Sequence, residues 1–211
     1  MNISSYQKTL SNLTLTDPVM SKLIKHIGPI DFKPRRLPPF QSIIHAIIHQ
    51  QLSGHVAGAI YNRFISLFGN GKFPTPKDIM NMDSETIRSA GLSRAKAIYV
   101  KSVAEMALKG LIPSLKECDK LSDEELKDQL IKIKGVGPWT VEMLLIFNLG
   151  RLNVLPIHDL GVRKGFQIAY RKRKLPTPEQ LERYGRKWKP YRTIATLYLW
   201  GAADFINLNE W

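Results

Sequence analysis

Leu130-Ile-Lys-Ile-Lys-Gly-Val-Gly-Pro-Trp-Thr140 joins two apolar helical segments through a pair of glycines two residues apart. Upstream, Ser122 with Glu125 makes a capping-box pattern ahead of Leu126, Leu130 and Ile133, so a helix leads into the glycines. Downstream, Pro138 sits where a first helical residue belongs, and the run from Trp139 to Leu149 stays apolar until Gly150 ends it. Gly135 and Gly137 let the backbone turn sharply and present successive N–H groups. Those amides, with the positive end of the second helix, form a pocket for a phosphate oxygen, and Lys132 and Lys134 add charge beside it. On its own, the motif serves equally well as a helical hairpin that merely needs glycine.

Working outward, the same grammar of caps and stops recurs along the chain, with almost no period-two alternation to suggest strands. Asp17-Pro18 opens a helix that Gly28-Pro29 closes, and a proline-rich connector follows to Pro39. Phe40, Ile43, Ile44, Ile47 and Ile48 fall at helical spacing as a buried stripe. Ser53 is placed to cap the next helix, which points Val56, Ile60, Phe64 and Leu67 inward. Thr75-Pro76, Asp83, Ser93, Thr177-Pro178 and Asp159 mark further starts, and a last helix spans Pro190 to Asp204. The fold class expected is all-α, with roughly ten helices given a typical length of about 11 residues.

Charge narrows the partners. Lys and Arg number 31 against 18 Asp and Glu, a net +13 in 211 residues, and such a field draws polyanions, nucleic acid first. No stretch reads as a transmembrane span, a basic amphipathic anchor or a signal peptide, so no membrane partner is expected. Cys118 is the single cysteine, which excludes a disulfide framework, a cysteine zinc site and a four-cysteine iron–sulfur cluster. These features suggest an intracellular, soluble and basic protein. His45 and His49 stand four apart, a spacing open to a metal, but no zinc-protease motif accompanies them and packing is the expected role.

The hairpin text resembles the DNA-binding helix-hairpin-helix, and the resemblance extends beyond it. Leu155-Pro-Ile-His-Asp-Leu-Gly-Val-Arg-Lys-Gly165 is similar to the region that carries an aspartate in helix-hairpin-helix DNA glycosylases. Trp188-Lys-Pro-Tyr-Arg192 with Leu197-Tyr-Leu-Trp200 resembles the C-terminal signature of their 3-methyladenine glycosylase II branch. Ile47-Ile-His-Gln-Gln-Leu-Ser53 and Ser89-Ala-Gly-Leu-Ser-Arg-Ala-Lys96 match the same branch, and the matches run in order from about residue 17 to 203.

The resemblance implies a monofunctional glycosylase that flips alkylated bases of the 3-methyladenine and 7-methylguanine type out of duplex DNA. It assigns the catalytic carboxylate to Asp159; by spacing alone the same aspartate reads as a helix cap, and the two roles are compatible. Trp139 and Trp200 match the base pocket, and Met143 stands where family members can carry an aromatic. Bifunctional relatives place a Schiff-base lysine at the position of Trp139, so hydrolysis by water is implied. Leu92 matches the intercalating wedge, for which an exposed loop tip is expected; a hydrophobic helix-end contact is the alternative. Gln50, Gln51 and Ser53 match groove probes, and Gly135, Gly137, Lys132, Lys134 and Thr140 the phosphate grip. No cofactor is implied, apart from a Na+ or K+ that the family's hairpin can hold, here through the carbonyls of Ile131, Ile133 and Gly135.

The implied architecture is one glycosylase domain acting as a monomer, two helical lobes flanking a cleft. The lobes are expected at about 40–130 and at 1–39 plus 131–211. A non-catalytic helix-hairpin-helix damage binder, or a glycosylase for a neutral lesion, shares most of these features.

Overall fold

In the computed structural model, which describes residues 3–69 and 71–205, every regular element among those residues is helical. The helices are α1 (Ile3–Thr16), α2 (Pro18–Ile27), α3 (Pro39–His49), α4 (Gly54–Ser66), α5 (Pro76–Asn81), α6 (Ser84–Ser89) and α7 (Arg94–Leu108). After them come α8 (Leu115–Cys118), α9 (Asp123–Leu130), α10 (Pro138–Met143), α11 (Leu160–Ala169), α12 (Pro178–Gly185) and α13 (Arg192–Phe205). Leu144–Leu149 continues α10 as a π-helix. The starts sit where short-range chemistry puts them. Asp17, Thr75, Asp83, Ser93, Ser122, Asp159 and Thr177 each accept a backbone N–H from the first turn of the helix they precede. The sequence pattern missed α1 and the four-residue α8; α1 forms on a mostly polar stretch by packing against α2, with Leu13 fully buried.

The chain divides into two compact units, a central one from Arg35 to Leu149 and a terminal one built from the segments before Arg35 and after Leu149. The expected boundary near residue 130 is displaced. The hairpin belongs to the central unit because the Gln50 side chain binds it and because the π-helix grips the segment after Pro34. There Asn148 exchanges two hydrogen bonds with the Leu37 backbone (2.8 and 2.9 Å), and the Arg35 amide donates to the Phe147 carbonyl.

In the central unit the α3 stripe (Ile43, Ile44, Ile47, Ile48) is fully buried, and α3 packs on α4, α7, α10 and the π-helix. Ile60 and Phe64 of α4 point inward as expected, whereas Val56 is 45% exposed in its first turn. In the terminal unit α11 packs along α13, with α2 against α13.

Asp17 holds the terminal unit together from a fully buried position. One oxygen accepts from the Val19 and Met20 amides; the other accepts from Tyr170 Oη (2.7 Å) and Trp188 Nε1 (2.9 Å), with Lys187 Nζ at 3.3 Å. Burial pushes its pKa up, but the Tyr170, Trp188 and Met20 hydrogen bonds and the Lys187 charge outweigh burial, and the net shift is downward. A carboxyl depressed in the folded state stabilises fully above its unfolded pKa of about 3.9, and that contribution is lost as pH falls through the folded value. Asp17→Asn is therefore expected to cost about 2–3 kcal/mol at neutral pH in urea melts. The gap to wild type should shrink below about pH 4; a gap independent of pH would remove the charge from this account.

Candidate active site and nucleic-acid interface

In the central unit α9 ends at Leu130, and Ile133 and Val136 tuck inward while the Val136 amide donates to the Ile133 carbonyl (3.0 Å). Gly135 is required twice over: its φ is +91°, and a Cβ there would overlap the Tyr99 ring. Gly137 has an ordinary φ of −100°, and a Cβ would meet nothing within 4 Å. The fold makes no demand for glycine at 137, so the bare backbone there suits close approach by a ligand. No side chain caps α10, and Lys132 and Lys134 are exposed on either side of buried Ile133. Gly137→Ala is accordingly expected to leave stability within about 0.5 kcal/mol of wild type. DNA affinity should nevertheless fall by about tenfold or more, as measured by fluorescence anisotropy beside a thermal melt. Unchanged affinity would mean that nothing approaches the backbone at 137.

Gln50 takes a different place from the one the resemblance gave it. Its amide nitrogen donates to the Gly135 carbonyl (3.1 Å) and to Thr140 Oγ1 (3.0 Å), which makes it a brace for the hairpin. Thr140 is 1% exposed, so its hydroxyl serves that brace and does not reach a phosphate. Lys96 Nζ donates to the carbonyls of Ile48 and Gln50 (2.8 and 2.7 Å), closing the end of α3 from which Gln50 projects. Lys96 and Tyr99 were not singled out in the sequence; both act across long separations, and no local pattern marks them. Of the three carbonyls matched to a cation, that of Gly135 accepts from the Gln50 amide and that of Ile133 from the Val136 amide.

Leu92 is only 4% exposed, so the exposed wedge expected at this position is absent. Its loop is tied down, with Arg63 Nε donating to the Ala90 carbonyl at 2.8 Å. The leucine that does stand out is Leu52, 39% exposed, between α3 and α4. It follows Gln51, whose φ is +56°, and precedes Ser53; both neighbours are exposed, and Ser53 makes no side-chain capping bond. Trp139 is half-buried, whereas Met143 is largely covered and offers little surface to a base.

In the terminal unit Asp159 caps α11. Its Oδ1 accepts from the Val162 amide (2.8 Å) and from Trp200 Nε1 (2.9 Å). Trp200, matched above to the base pocket, thus orients the carboxylate, and Gly161 lets the indole come this close, since a Cβ there would sit 3.0 Å from Trp200 Cδ1. The approach to Asp159 is anchored as well. Thr193 Oγ1 takes the Val154 amide, and the Arg192 guanidinium binds Asn153 through its side-chain and backbone oxygens (2.8 Å each). His158 is exposed. A carboxylate held on two sides and half-open to solvent can stabilise a developing positive charge and hold a water. His45 and His49 stack at 4.0 Å, with a 2.8 Å hydrogen bond between His49 Nδ1 and the His45 carbonyl; no cluster of three metal-ligating side chains occurs among the described residues.

An all-helical fold with a glycine hairpin and a helix-capping, tryptophan-bound aspartate describes a helix-hairpin-helix protein of the base-excision type. The family profile of the HhH-GPD superfamily base excision DNA repair proteins matches residues 44–190, and the chain belongs to that superfamily. DNA-3-methyladenine glycosylase 1 of Schizosaccharomyces pombe is 41% identical over 99% of this chain and 92% of its own length. An alkylbase DNA glycosidase-like protein of the same yeast is 40% identical over 93% of each chain. The solved structure of the S. pombe 3-methyladenine DNA glycosylase in complex with abasic DNA superposes with a TM-score of 0.87 at 42% identity, covering 92% of this chain and 95% of that one.

Proposed function

We propose that this protein is a monofunctional DNA glycosylase that removes alkylated bases from duplex DNA and so initiates base-excision repair. The observation that carries the reading is the fixed carboxylate of Asp159, bonded by Trp200 Nε1 and by the helix it caps. A base methylated at a ring nitrogen is cationic and departs without prior protonation. The bond from C1′ of the sugar to the base breaks, its electron pair leaves with the base, and positive charge builds on the deoxyribose. Asp159 stabilises that charge and receives the proton of the water that adds to C1′. The products are the free base and an intact strand with an abasic site. Trp139 has no amine, so it forms no Schiff base with the sugar. Lys132, Lys134 and the backbone at Gly137 hold phosphates, and Leu52 with Gln51 enters the stack where the base has left.

The protein acts as a monomer wherever its DNA lies; no described helix is long and apolar enough to cross a membrane. The chemistry uses no cofactor, and a monovalent cation on the Ile131, Ile133 and Gly135 carbonyls would supplement the brace from Gln50.

Dimethyl-sulfate-treated DNA tests the proposal. Free 3-methyladenine and 7-methylguanine should appear, with strand breaks only after alkali. Binding without release of either base would overturn it in favour of a damage binder; release only from deaminated or etheno-modified duplexes would move it to a neutral lesion.

A further inference from the structure

The terminal unit carries a cavity of about 850 Å³ that the proposed reaction does not use. Its walls come from the loop after α11 (Lys172, Arg173 and Lys174), from α12 (Arg183) and from the turn that follows (Arg186 and Lys187). Asp159 caps the start of α11, whereas Phe166, the residue of that helix that lines the cavity, lies two turns further on, about 10 Å along the axis.

Six cations therefore converge on one concave space. Lys187 has partners, since its Nζ lies 3.3 Å from Asp17 Oδ2 and 3.9 Å from the centroid of the Tyr184 ring. Among the described residues, no acid is ion-paired with Lys172, Arg173, Lys174, Arg183 or Arg186. Such crowding of like charge destabilises the fold unless a polyanion neutralises it. A basic run such as Arg171–Lys174 ordinarily forms a solvated loop that adds phosphate affinity without specificity; here Lys172, Arg173 and Lys174 line a cavity that Arg183 faces from α12.

We propose that this cavity binds a short single-stranded segment of nucleic acid. Guanidinium groups of Arg173, Arg183 and Arg186 match phosphate oxygens two at a time. Tyr184, half-buried with Lys187 over its ring, gives an aromatic surface at which a base can pack, and the amide nitrogen of Gln180 can donate to a base edge. A polymer with a full negative charge and a planar base in every repeat satisfies both halves of the pocket. An acidic peptide satisfies only the charge, and a convex duplex does not enter a concavity of this size. The seat is independent of base release, and its test reads binding alone.

The probe is a fluorescent oligothymidylate of eight nucleotides, titrated by anisotropy against the full chain. Lys172→Glu/Lys174→Glu/Arg183→Glu is compared with Lys77→Glu/Lys116→Glu/Lys120→Glu, which changes the net charge equally from exposed sites in the central unit; melts verify that both fold. The cavity variant should bind at least about tenfold more weakly, and its log–log salt slope should be shallower by about 2, for three lost contacts on a single strand. The control variant should lose no more than about twofold. Equal losses in the two variants would overturn the proposal, as would displacement of the probe by polyglutamate at lower charge equivalents than by unlabelled oligothymidylate.

Discussion

Replacing Asp159 by Asn is expected to slow alkylbase release by about 10²–10³-fold while leaving the fold as stable as before. The two effects separate because Asp159 holds two jobs through one atom. Its Oδ1 caps α11 at the Val162 amide and receives the indole N–H of Trp200. Asparagine caps a helix as well as aspartate does, and its amide oxygen can accept both bonds in the same volume. What it lacks is the charge. A preorganised group aimed at charge that appears only in the transition state is worth about 3–4 kcal/mol, which sets the size of the expected loss. Single-turnover release of 7-methylguanine measures it, with duplex affinity determined alongside. A rate within threefold of wild type would reduce Asp159 to a cap. Asp159→Ala should lose the same rate and a further ~1 kcal/mol of stability, because the cap then goes too.

The parts of this molecule that could be read from its sequence are those decided within a few residues. Thr75 with Asp78, Ser122 with Glu125 and Thr177 with Gln180 close capping boxes three residues apart, so their helices start where the pattern puts them. The hairpin was legible because positive φ and a helix start leave glycine and proline in fixed order. Asp159 was visible as a cap, and only the family resemblance gave it chemistry.

Long-range partnerships were not legible. Gln50 and Thr140 bond across 90 residues, and nothing in Gln50-Gln51-Leu52-Ser53 says which glutamine turns inward. Leu92 and Leu52 each stand beside residues that suit an exposed loop, yet one is buried and the other open, since tertiary packing decides between them. The unit boundary was misplaced for the same reason. Asn148 reads as one polar residue in an apolar helix, and its bonds to Leu37 become visible only when the π-helix meets the connector. Trp200 was matched to a pocket by aromatic character, whereas the N–H of its ring is what the structure employs.

Gly165→Ala is expected to produce the largest loss of stability of any single methyl added to this chain's helices. Gly165 lies buried in α11 where that helix crosses α13, and a Cβ there would land on the backbone carbonyl of Leu199. A flexible side chain could swing aside, but a helix carbonyl moves only with its helix, so α11 and α13 must separate along their whole contact. Overpacking usually costs 1–3 kcal/mol; a forced backbone shift places this case at about 4–5 kcal/mol. For a chain of this size that lowers the melting temperature by roughly 10–20 °C. Gly201→Ala on α13 is the matched comparison, because the nearest atom to its Cβ would be Ile27 Cδ1, at 2.9 Å, and that methyl terminus can rotate away. Helix propensity favours alanine at both positions by up to about 1 kcal/mol, so the second variant should melt near or above wild type. Equal melting temperatures would show that α11 and α13 adjust freely. In that case the Trp200–Asp159 bond, which spans the same pair of helices, could not hold the carboxylate in one place, and the rate expected to depend on it would lose its structural basis.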